Sequence, residues 1–342
     1  MSNAGGRDTV VIAASAGGVE ALRDLLSQLP ADTPAAVMVV LHVPAIGGRA
    51  LPSILARAGK LPASAAGDGE EALAGHVYVA PPDHHMLIID GKIRLSRGPR
   101  HNGHRPAADP LFISAAMSKG PRLTGVVLSG TLDDGAAGCA AVERRGGLVL
   151  VQDPSESAYE GMPRAAIAAT RHPRVLRLHD LAAAIDKAAR EELPDTPLEP
   201  DPDLERQLSV FLGTGGTGPA AAPSEWSGVT CPECGGPLQQ EEMRAPVRFE
   251  CQAGHAWSPE SLVAAQASGI ERALWAAVLR LEERARLNRV LADTAGTQGY
   301  PDSAGGFLST ARAAESSARE IRRLLESAGA AQAPSASPEG SG

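Results

Sequence analysis

Over roughly the first 190 residues, short continuous apolar runs alternate with segments whose apolar residues recur every three or four positions. Val10-Val11-Ile12-Ala13-Ala14 and Ala36-Val37-Met38-Val39-Val40-Leu41 are uninterrupted and mostly β-branched, the pattern of strands covered on both faces. Between them, Gly17 to Leu29 carries Val19, Leu22, Leu25, Leu26 and Leu29 at helical spacing, and a helical run containing Leu51, Ile54 and Leu55 follows the second strand. A third run, Leu123-Thr124-Gly125-Val126-Val127-Leu128, breaks into a glycine-punctuated turn and then an alanine-rich helix. This alternation predicts an α/β domain over residues 8–190, a doubly wound and mostly parallel sheet.

Three polar residues stand where those runs end. Ser15 lies in Ala14-Ser15-Ala16-Gly17-Gly18, His42 follows the second strand, and Asp134 closes Ser129-Gly130-Thr131-Leu132-Asp133-Asp134-Gly135. Side chains at the carboxyl ends of parallel strands share one rim of the sheet, beside unpaired N–H groups at helix N-termini. A serine, a base and a carboxylate converging there are the parts of a nucleophilic hydrolase: the imidazole takes the hydroxyl proton and the carboxylate orients the imidazole. Taken singly, the serine also fits a phosphate-cradling or tight-turn position, the histidine a structural one, and Asp134 a helix cap or Asx turn. Neither Gly-x-Gly-x-x-Gly nor Gly-x-x-x-x-Gly-Lys follows the first strand, so a nucleotide site lacks its usual phosphate loop.

Residues 8–190 resemble the catalytic domain of the CheB protein-glutamate methylesterases. The resemblance rests on Ala14-Ser15-Ala16-Gly17-Gly18, Leu41-His42-Val43-Pro44, the Val77-to-Met86 stretch with Ala80-Pro81-Pro82-Asp83, His104-Arg105-Pro106-Ala107-Ala108-Asp109-Pro110-Leu111-Phe112, Leu128-Ser129-Gly130-Thr131-Leu132-Asp133-Asp134-Gly135 and Gly161-Met162-Pro163-Arg164. It implies hydrolysis of glutamate γ-methyl esters on the cytoplasmic helices of methylated chemoreceptors, with some members also deamidating glutamines. Carried over by residue, it makes Ser15 the nucleophile, His42 the general base and Asp134 the orienting carboxylate, with Asp133 as a neighbour only. Gly17 and Gly18 are expected to leave room for substrate, Arg105 to position it, and the Thr131 N–H to serve as an oxyanion donor. Ala16 and Thr131-Leu132 depart from the family's usual Thr and Met-Gly. The first strand begins at about Asp8, so no receiver domain is expected before it. Control is then expected from a separate partner, from localisation or from the C-terminal half.

That half changes character. Residues 191–228 are rich in Pro, Gly, Ala and acidic residues, which predicts a flexible linker with a short amphipathic patch at Leu204 to Leu212. Cys231-Pro232-Glu233-Cys234-Gly235-Gly236 and Cys251-Gln252-Ala253-Gly254-His255 then supply three thiols and one imidazole. With Cys231, Cys234, Cys251 and His255 as ligands this is a closed tetrahedral set, predicting a structural zinc ribbon over 229–258 that melts without the metal while the esterase is spared. A redox dithiol at Cys231 and Cys234 is the alternative, although no βαβ context surrounds it. Ser258 and Pro259 suit a helix start. Ile270, Leu274, Val278, Leu281 and Ala285, then Phe307, Ala311, Ala314, Ala318, Ile321 and Leu325, predict a helical hairpin over 259–328 with its turn near Gly296 to Gly306 and a disordered tail at 329–342.

Composition narrows the partners. The net charge is −8 across 342 residues, with no basic footprint for nucleic acid. No apolar run is long enough for membrane insertion and no disulfide pattern appears, which predicts a cytoplasmic protein. The expected partners are methylated chemoreceptor helices, with a methyltransferase or a separate response regulator acting on the same receptors. His84, His85, His101 and His104 are expected in loops or on the surface. Two other functions fit the pattern: a non-catalytic chemosensory adaptor, and a nucleotide-binding α/β domain.

Overall fold

The structure, a computed structural model, describes residues 6–42, 50–194, 197–214, 226–241 and 247–332. They form two compact units that meet in sequence at Leu262 and Val263.

The first unit is built on a seven-stranded sheet. In chain order its strands are β1 (Thr9–Ala14), β2 (Ala36–Leu41), β3 (Ala63–Ala65), β4 (Val77–Val79), β7 (Leu123–Val127), β8 (Leu148–Gln152) and β9 (Arg174–Leu176), with a side hairpin of β5 (His85–Ile89) and β6 (Lys92–Ser96). The spatial order β3-β4-β2-β1-β7-β8-β9 is parallel at every pairing. Helices α1 (Gly18–Gln28), α2 (Leu51–Ala58) and α6 (Leu178–Arg190) cover one face, while α3 (Ala108–Lys119), α4 (Ala136–Arg144), α5 (Gly161–Ala169) and α7 (Pro202–Phe211) supply the other. Alternate residues of β1 serve the two layers: Val10, Ile12 and Ala14 pack with Leu22 and Leu25, and Val11 and Ala13 with Leu111 and Phe112. Both faces are therefore apolar, which is why β1 and β2 read as unbroken hydrophobic runs.

Within the expected linker, the amphipathic patch at Leu204 to Leu212 forms a docked helix. Asp201 accepts the Leu204 N–H as a cap, Pro202 takes the first turn, and Leu204 and Phe211 are buried seven residues apart on one face of α7, against α3 and the ring of His101. Beyond it, β10 (Trp226–Thr230), β11 (Pro237–Glu241), β12 (Arg248–Cys251) and β13 (Ala256–Trp257) form a four-stranded antiparallel sheet. This module does not stand apart from the α/β domain, as the sequence had suggested. His101 bridges Ala256, Arg248 donates to His101 Nδ1 and Gln207, and Gly254 packs on Pro99 and Val210.

The second unit is a helical hairpin formed by the rest of α8 (Pro259–Thr297) and by α9 (Pro301–Gln332). Buried alanines make its seam: Ala285, Ala292 and Ala295 on α8, and Ala311, Ala314 and Ala318 on α9. The turn is tighter than the glycines implied. Gly299, at φ 81°, ends α8 in the left-handed region and Pro301 starts α9, so Gly305 and Gly306 fall inside a helix. Helix α9 continues to Gln332, and the rest of the expected tail lies outside the described residues.

Candidate active site

The register of β1 and β2 sets the site. Ala14 lies opposite Leu41, so Ser15 and His42 leave adjacent strand ends at the same carboxyl rim. The His42 N–H donates to Ala14 O at 3.2 Å and the Ser15 N–H to Ser129 O at 3.0 Å, extending the sheet by one residue on each side. Gly130 permits a close approach here: a Cβ on it would stand 2.1 Å from Met162 Sδ and 3.0 Å from Ser15 Cβ. Ser129 closes the loop, its hydroxyl donating to Ala16 O at 2.8 Å and accepting the Tyr159 N–H at 2.9 Å. The Ser15 hydroxyl takes no hydrogen-bond partner among the described residues, and the N–H groups of Ala16, Gly17 and Thr131 take no acceptor there either.

His42 Nε2 meets Asp134 Oδ2 at 2.7 Å, with side-chain exposures of 6% and 2%. Asp134 is held by more than the imidazole. Its Oδ2 accepts the Ala108 N–H at 2.6 Å and its Oδ1 accepts Asn102 Nδ2 at 3.1 Å and the Asp109 N–H at 3.4 Å. Ala108 and Asp109 open α3, so the carboxylate sits on the positive end of a helix as well as against a base. Burial alone would raise its pKa, but the bond to His42, the charge of that ring and the Ala108 N–H outweigh it and hold the carboxyl well below the usual range. The carboxylate does not cap the helix that follows it in sequence, α4, whose N-cap is Gly135; it receives the first N–H groups of α3 and the His42 ring.

Asn102, given no role by the sequence, and His104, expected in a loop or on the surface, complete the surroundings. His101-Asn102-Gly103-His104 is a two-residue hairpin turn, with His101 and His104 exchanging backbone hydrogen bonds at 3.2 and 2.8 Å and with φ of 52° and 76° at Asn102 and Gly103. An Asn-Gly pair is the sequence signal for such a turn. It aims Asn102 at Asp134 and lays the His104 ring flat on His42, centroids 3.9 Å apart and planes 5° from parallel. Burial pushes His104 down to about 4, so it is neutral near pH 7. His85 and His101 are buried too: His85 lies in β5 and not in a loop, whereas His101 lies in a turn, as expected, but away from the surface. The His85 ring is satisfied as a neutral imidazole between Pro99 O at 2.9 Å and the Ala107 N–H at 3.3 Å, and burial lowers it to about 4.

The residues expected to bind substrate fall differently. Gly17 has φ 70°, which a side chain resists, and a Cβ there would meet Ala158 Cβ at 2.8 Å. Gly18 is buried, and a Cβ would meet Ala14 Cβ at 2.6 Å and Leu41 Cδ1 at 2.9 Å. Both glycines therefore serve turn geometry and helix–strand packing, and a side chain on either would have no space. Arg105 commits most of its donors inside the protein. Nε and Nη2 bond Asp83 Oδ1 at 3.0 and 2.6 Å, and Nη1 bonds the carbonyls of Arg97 and Gly98. Thr131 is exposed at the rim.

A second cluster lies in the four-stranded module. The ligating atoms of Cys231, Cys234, Cys251 and His255 are all within 4.8 Å of one another. Cys234 Sγ lies 3.6 Å from Cys251 Sγ, which lies 3.5 Å from His255 Nδ1. Ligands on a tetrahedral ion with bonds of about 2.3 Å stand about 3.8 Å apart, so the spacing fits a bound metal. Two glycine turns shape the cluster: Gly235 at φ 72° donates to Cys231 O, and Gly254 at φ 82° donates to Cys251 O. The Trp257 indole donates to Cys231 Sγ at 3.4 Å, a contact that favours the thiolate.

The sequence model of one family, described as CheB methylesterase, matches residues 10–185. A protein-glutamate methylesterase/protein-glutamine glutaminase of Thiobacillus denitrificans is 39% identical over 176 residues, 50% of this chain and 49% of that protein. One from Myxococcus xanthus is 42% identical over 183 residues, 53% of this chain and 52% of that protein. The chain thus spans about half the length of the curated relatives it matches. Among solved structures, the Thermotoga maritima CheB methylesterase catalytic domain aligns with a TM-score of 0.50 and 31% identity, covering 53% of this chain and 97% of that one. A parallel sheet with serine, histidine and aspartate on one rim, a family match over half the sequence and a solved domain covered almost end to end agree: the chain belongs to the CheB methylesterase family.

Proposed function

We propose that this chain is a cytoplasmic serine hydrolase that removes γ-methyl esters from glutamate side chains on chemoreceptor helices and deamidates glutamines at the same site. The observation that carries the reading is the buried His42–Asp134 pair at 2.7 Å, one strand from Ser15. Asp134 occupies Nε2, so Nδ1 is the nitrogen left to accept the Ser15 proton as Oγ attacks the ester carbonyl. The unpaired N–H groups of Ala16, Gly17 and Thr131 are the available donors for the oxyanion. Collapse of the tetrahedral intermediate transfers the proton from His42 to the departing methoxide, releasing methanol. Water then attacks the acyl-serine with the same base. Asp134, already ionised, stabilises the transient imidazolium. Receptor methylation by a methyltransferase supplies the substrate in this scheme, and a separate response regulator is a fitting control.

Two other readings have less support. For the nucleotide reading, neither Gly-x-Gly-x-x-Gly nor Gly-x-x-x-x-Gly-Lys follows the first strand, so the usual phosphate loop is missing. A non-catalytic adaptor has no need of an aspartate held by four donors at an imidazole. For the cysteine cluster the fitting ion is zinc: three thiolates and one imidazole saturate a tetrahedral site and leave no position for water, so its role is structural. Among the described residues no helix is long and apolar enough to cross a membrane. The test is methanol release from methylated receptor cytoplasmic fragments, with ammonia release from glutamine-bearing fragments alongside. Release of neither product by the intact chain refutes the proposal.

A further inference from the structure

The metal cluster and the Ser15-His42-Asp134 site are joined by one side chain. Asn102 is buried, and all of its amide faces partners. Its Oδ1 accepts the Ser258 N–H at 2.9 Å and the Ser261 hydroxyl at 2.9 Å, while its Nδ2 donates to Asp134 Oδ1 at 3.1 Å and lies 3.5 Å from Asp109 Oδ2. The donor from Ser258 is a backbone N–H and the acceptor on Asp134 is a carboxylate, so the amide has only one workable orientation. The Asn102 N–H also donates to Ala256 O at 2.8 Å. Asn102 therefore grips the segment from Ala256 to Ser261 with one end and Asp134 with the other.

That segment begins directly after the ligand His255. Trp257 ties it back to the cluster through the Cys231 sulfur, and its indole ring lies against the turn, 3.4 Å from where a Cβ on Gly103 would stand. Ser258 adds a hydrogen bond from its hydroxyl to Asp133 Oδ1 at 2.6 Å. Without a metal, the Cys251–His255 loop keeps its glycine turn, the pairing of β12 with β13 and the packing of Gly254 on Pro99 and Val210, but it loses the bonds that draw Cys251 and His255 to Cys231 and Cys234, and the residues after it are held less firmly. A shift of Ser258 and Ser261 would then weaken both acceptor contacts of Asn102 and free its amide to turn. Asp134 Oδ1 would keep only the long bond from the Asp109 N–H.

We propose that Asn102 is a positioning residue for Asp134, and that metal bound by Cys231, Cys234, Cys251 and His255 sets the rate of the Ser15 chemistry through the Trp257–Ser258–Asn102 connection. This rests on the serine-hydrolase reading above and adds to it a control device within the same chain. It replaces the sequence-based expectation that the esterase is indifferent to the state of the ribbon.

The experiment compares the full-length wild type and Asn102→Ala, each zinc-loaded and zinc-stripped, with zinc counted by a colorimetric chelator and folding followed by circular dichroism. Two rates are read: kcat and KM for methanol release from methylated receptor fragments, and Ser15 modification by a fluorophosphonate, which needs no receptor. Stripping is expected to lower kcat and the modification rate about ten- to a hundredfold, as loss of a hydrogen bond to a charged group does, with KM changed less than about twofold. Loaded Asn102→Ala should show the same loss, and stripping it should add less than about twofold, because both perturbations break one path. Ser261→Ala, which spares metal and Asn102, should lose roughly three- to tenfold and decides the matter should stripping unfold the chain. Unchanged rates on stripping, losses that multiply, a wild-type rate for Ser261→Ala, or less than one zinc per chain each overturn the proposal. Fluorophosphonate coupling without methanol release would refute only the methylesterase reading.

Discussion

Asp134 and Asp133 are adjacent carboxylates with opposite expected responses to the same change. Asp134 accepts four hydrogen bonds: His42 Nε2 and the Ala108 N–H on Oδ2, and Asn102 Nδ2 and the Asp109 N–H on Oδ1. In Asp134→Asn the new NH2 must face one of these pairs. Turned to Oδ1 it opposes the Asn102 and Asp109 donors; turned to Oδ2 it opposes Ala108 and forces His42 into the other tautomer. Either way a buried donor is left unsatisfied, a loss of about 1–3 kcal/mol in stability, and a misoriented base lowers kcat on the order of ten-thousand-fold. Asp133 accepts the Ser258 hydroxyl, which an amide oxygen also accepts. Burial holds its carboxyl up at about 6 despite that bond, so Asp133→Asn removes an ill-tolerated charge. Its stability should be equal or higher and its kcat within a few-fold of wild type. Methanol release and thermal unfolding on both variants are the assays. A damaging Asp133→Asn beside a harmless Asp134→Asn would refute the assignment.

Other consequences are open to direct measurement. Ser129→Ala should lower stability by about 0.5–1.5 kcal/mol, because the part-buried hydrogen bonds to the Ala16 carbonyl and from the Tyr159 N–H are lost, and should lower kcat with little change in KM; full activity would show that the Ser15 loop needs no clamp. Arg105→Lys should lower the melting temperature and leave KM unchanged, since the guanidinium is committed to Asp83 and two carbonyls; a raised KM with normal stability would restore it as a substrate contact. Burial holds His85 and His104 at about 4 and His101 well below its usual value, whereas the unfolded chain protonates each near pH 6.5. Between about pH 6.5 and 4, each therefore reduces stability as pH falls, by up to about 1.4 kcal/mol per pH unit. Burial raises Asp109 to about 7 and Asp133 to about 6, and these two oppose three histidines, leaving a net loss of about one histidine's worth; urea midpoints that rise from pH 6.5 to 5 would contradict this.

The sheet was legible because burial on both faces leaves β2, and β1 after its first residue Thr9, without a polar residue, so the next polar positions, Ser15 and His42, mark their ends. Asp134 stands well past the end of β7, beyond Ser129 and Thr131, and was legible through the family resemblance of the Leu128-to-Gly135 stretch. What escaped is long-range. Asn102 sits in a turn that the Asn-Gly pair announces, but its partners Asp134, Ser258 and Ser261 are distant in sequence and only the docked module brings them to it. His85 and His101 looked like surface residues because nothing local shows that Arg248, Phe211 and the Pro99 carbonyl enclose them. Helix α7 was legible as the amphipathic patch from Leu204 to Leu212, with Asp201-Pro202 as its start, but the proline-rich composition around it hid what it docks on. The glycines at 305 and 306 drew the expected hairpin turn past Gly299 and Pro301, where a left-handed glycine and a first-turn proline place it.

The most direct measurement of the central claim is the fate of a methyl-labelled receptor cytoplasmic fragment under wild type and Ser15→Ala at matched folding. The wild type should release labelled methanol, and Ser15→Ala should be slower by roughly four to six orders of magnitude with an unchanged melting temperature. Methanol release that survives Ser15→Ala would contradict the account.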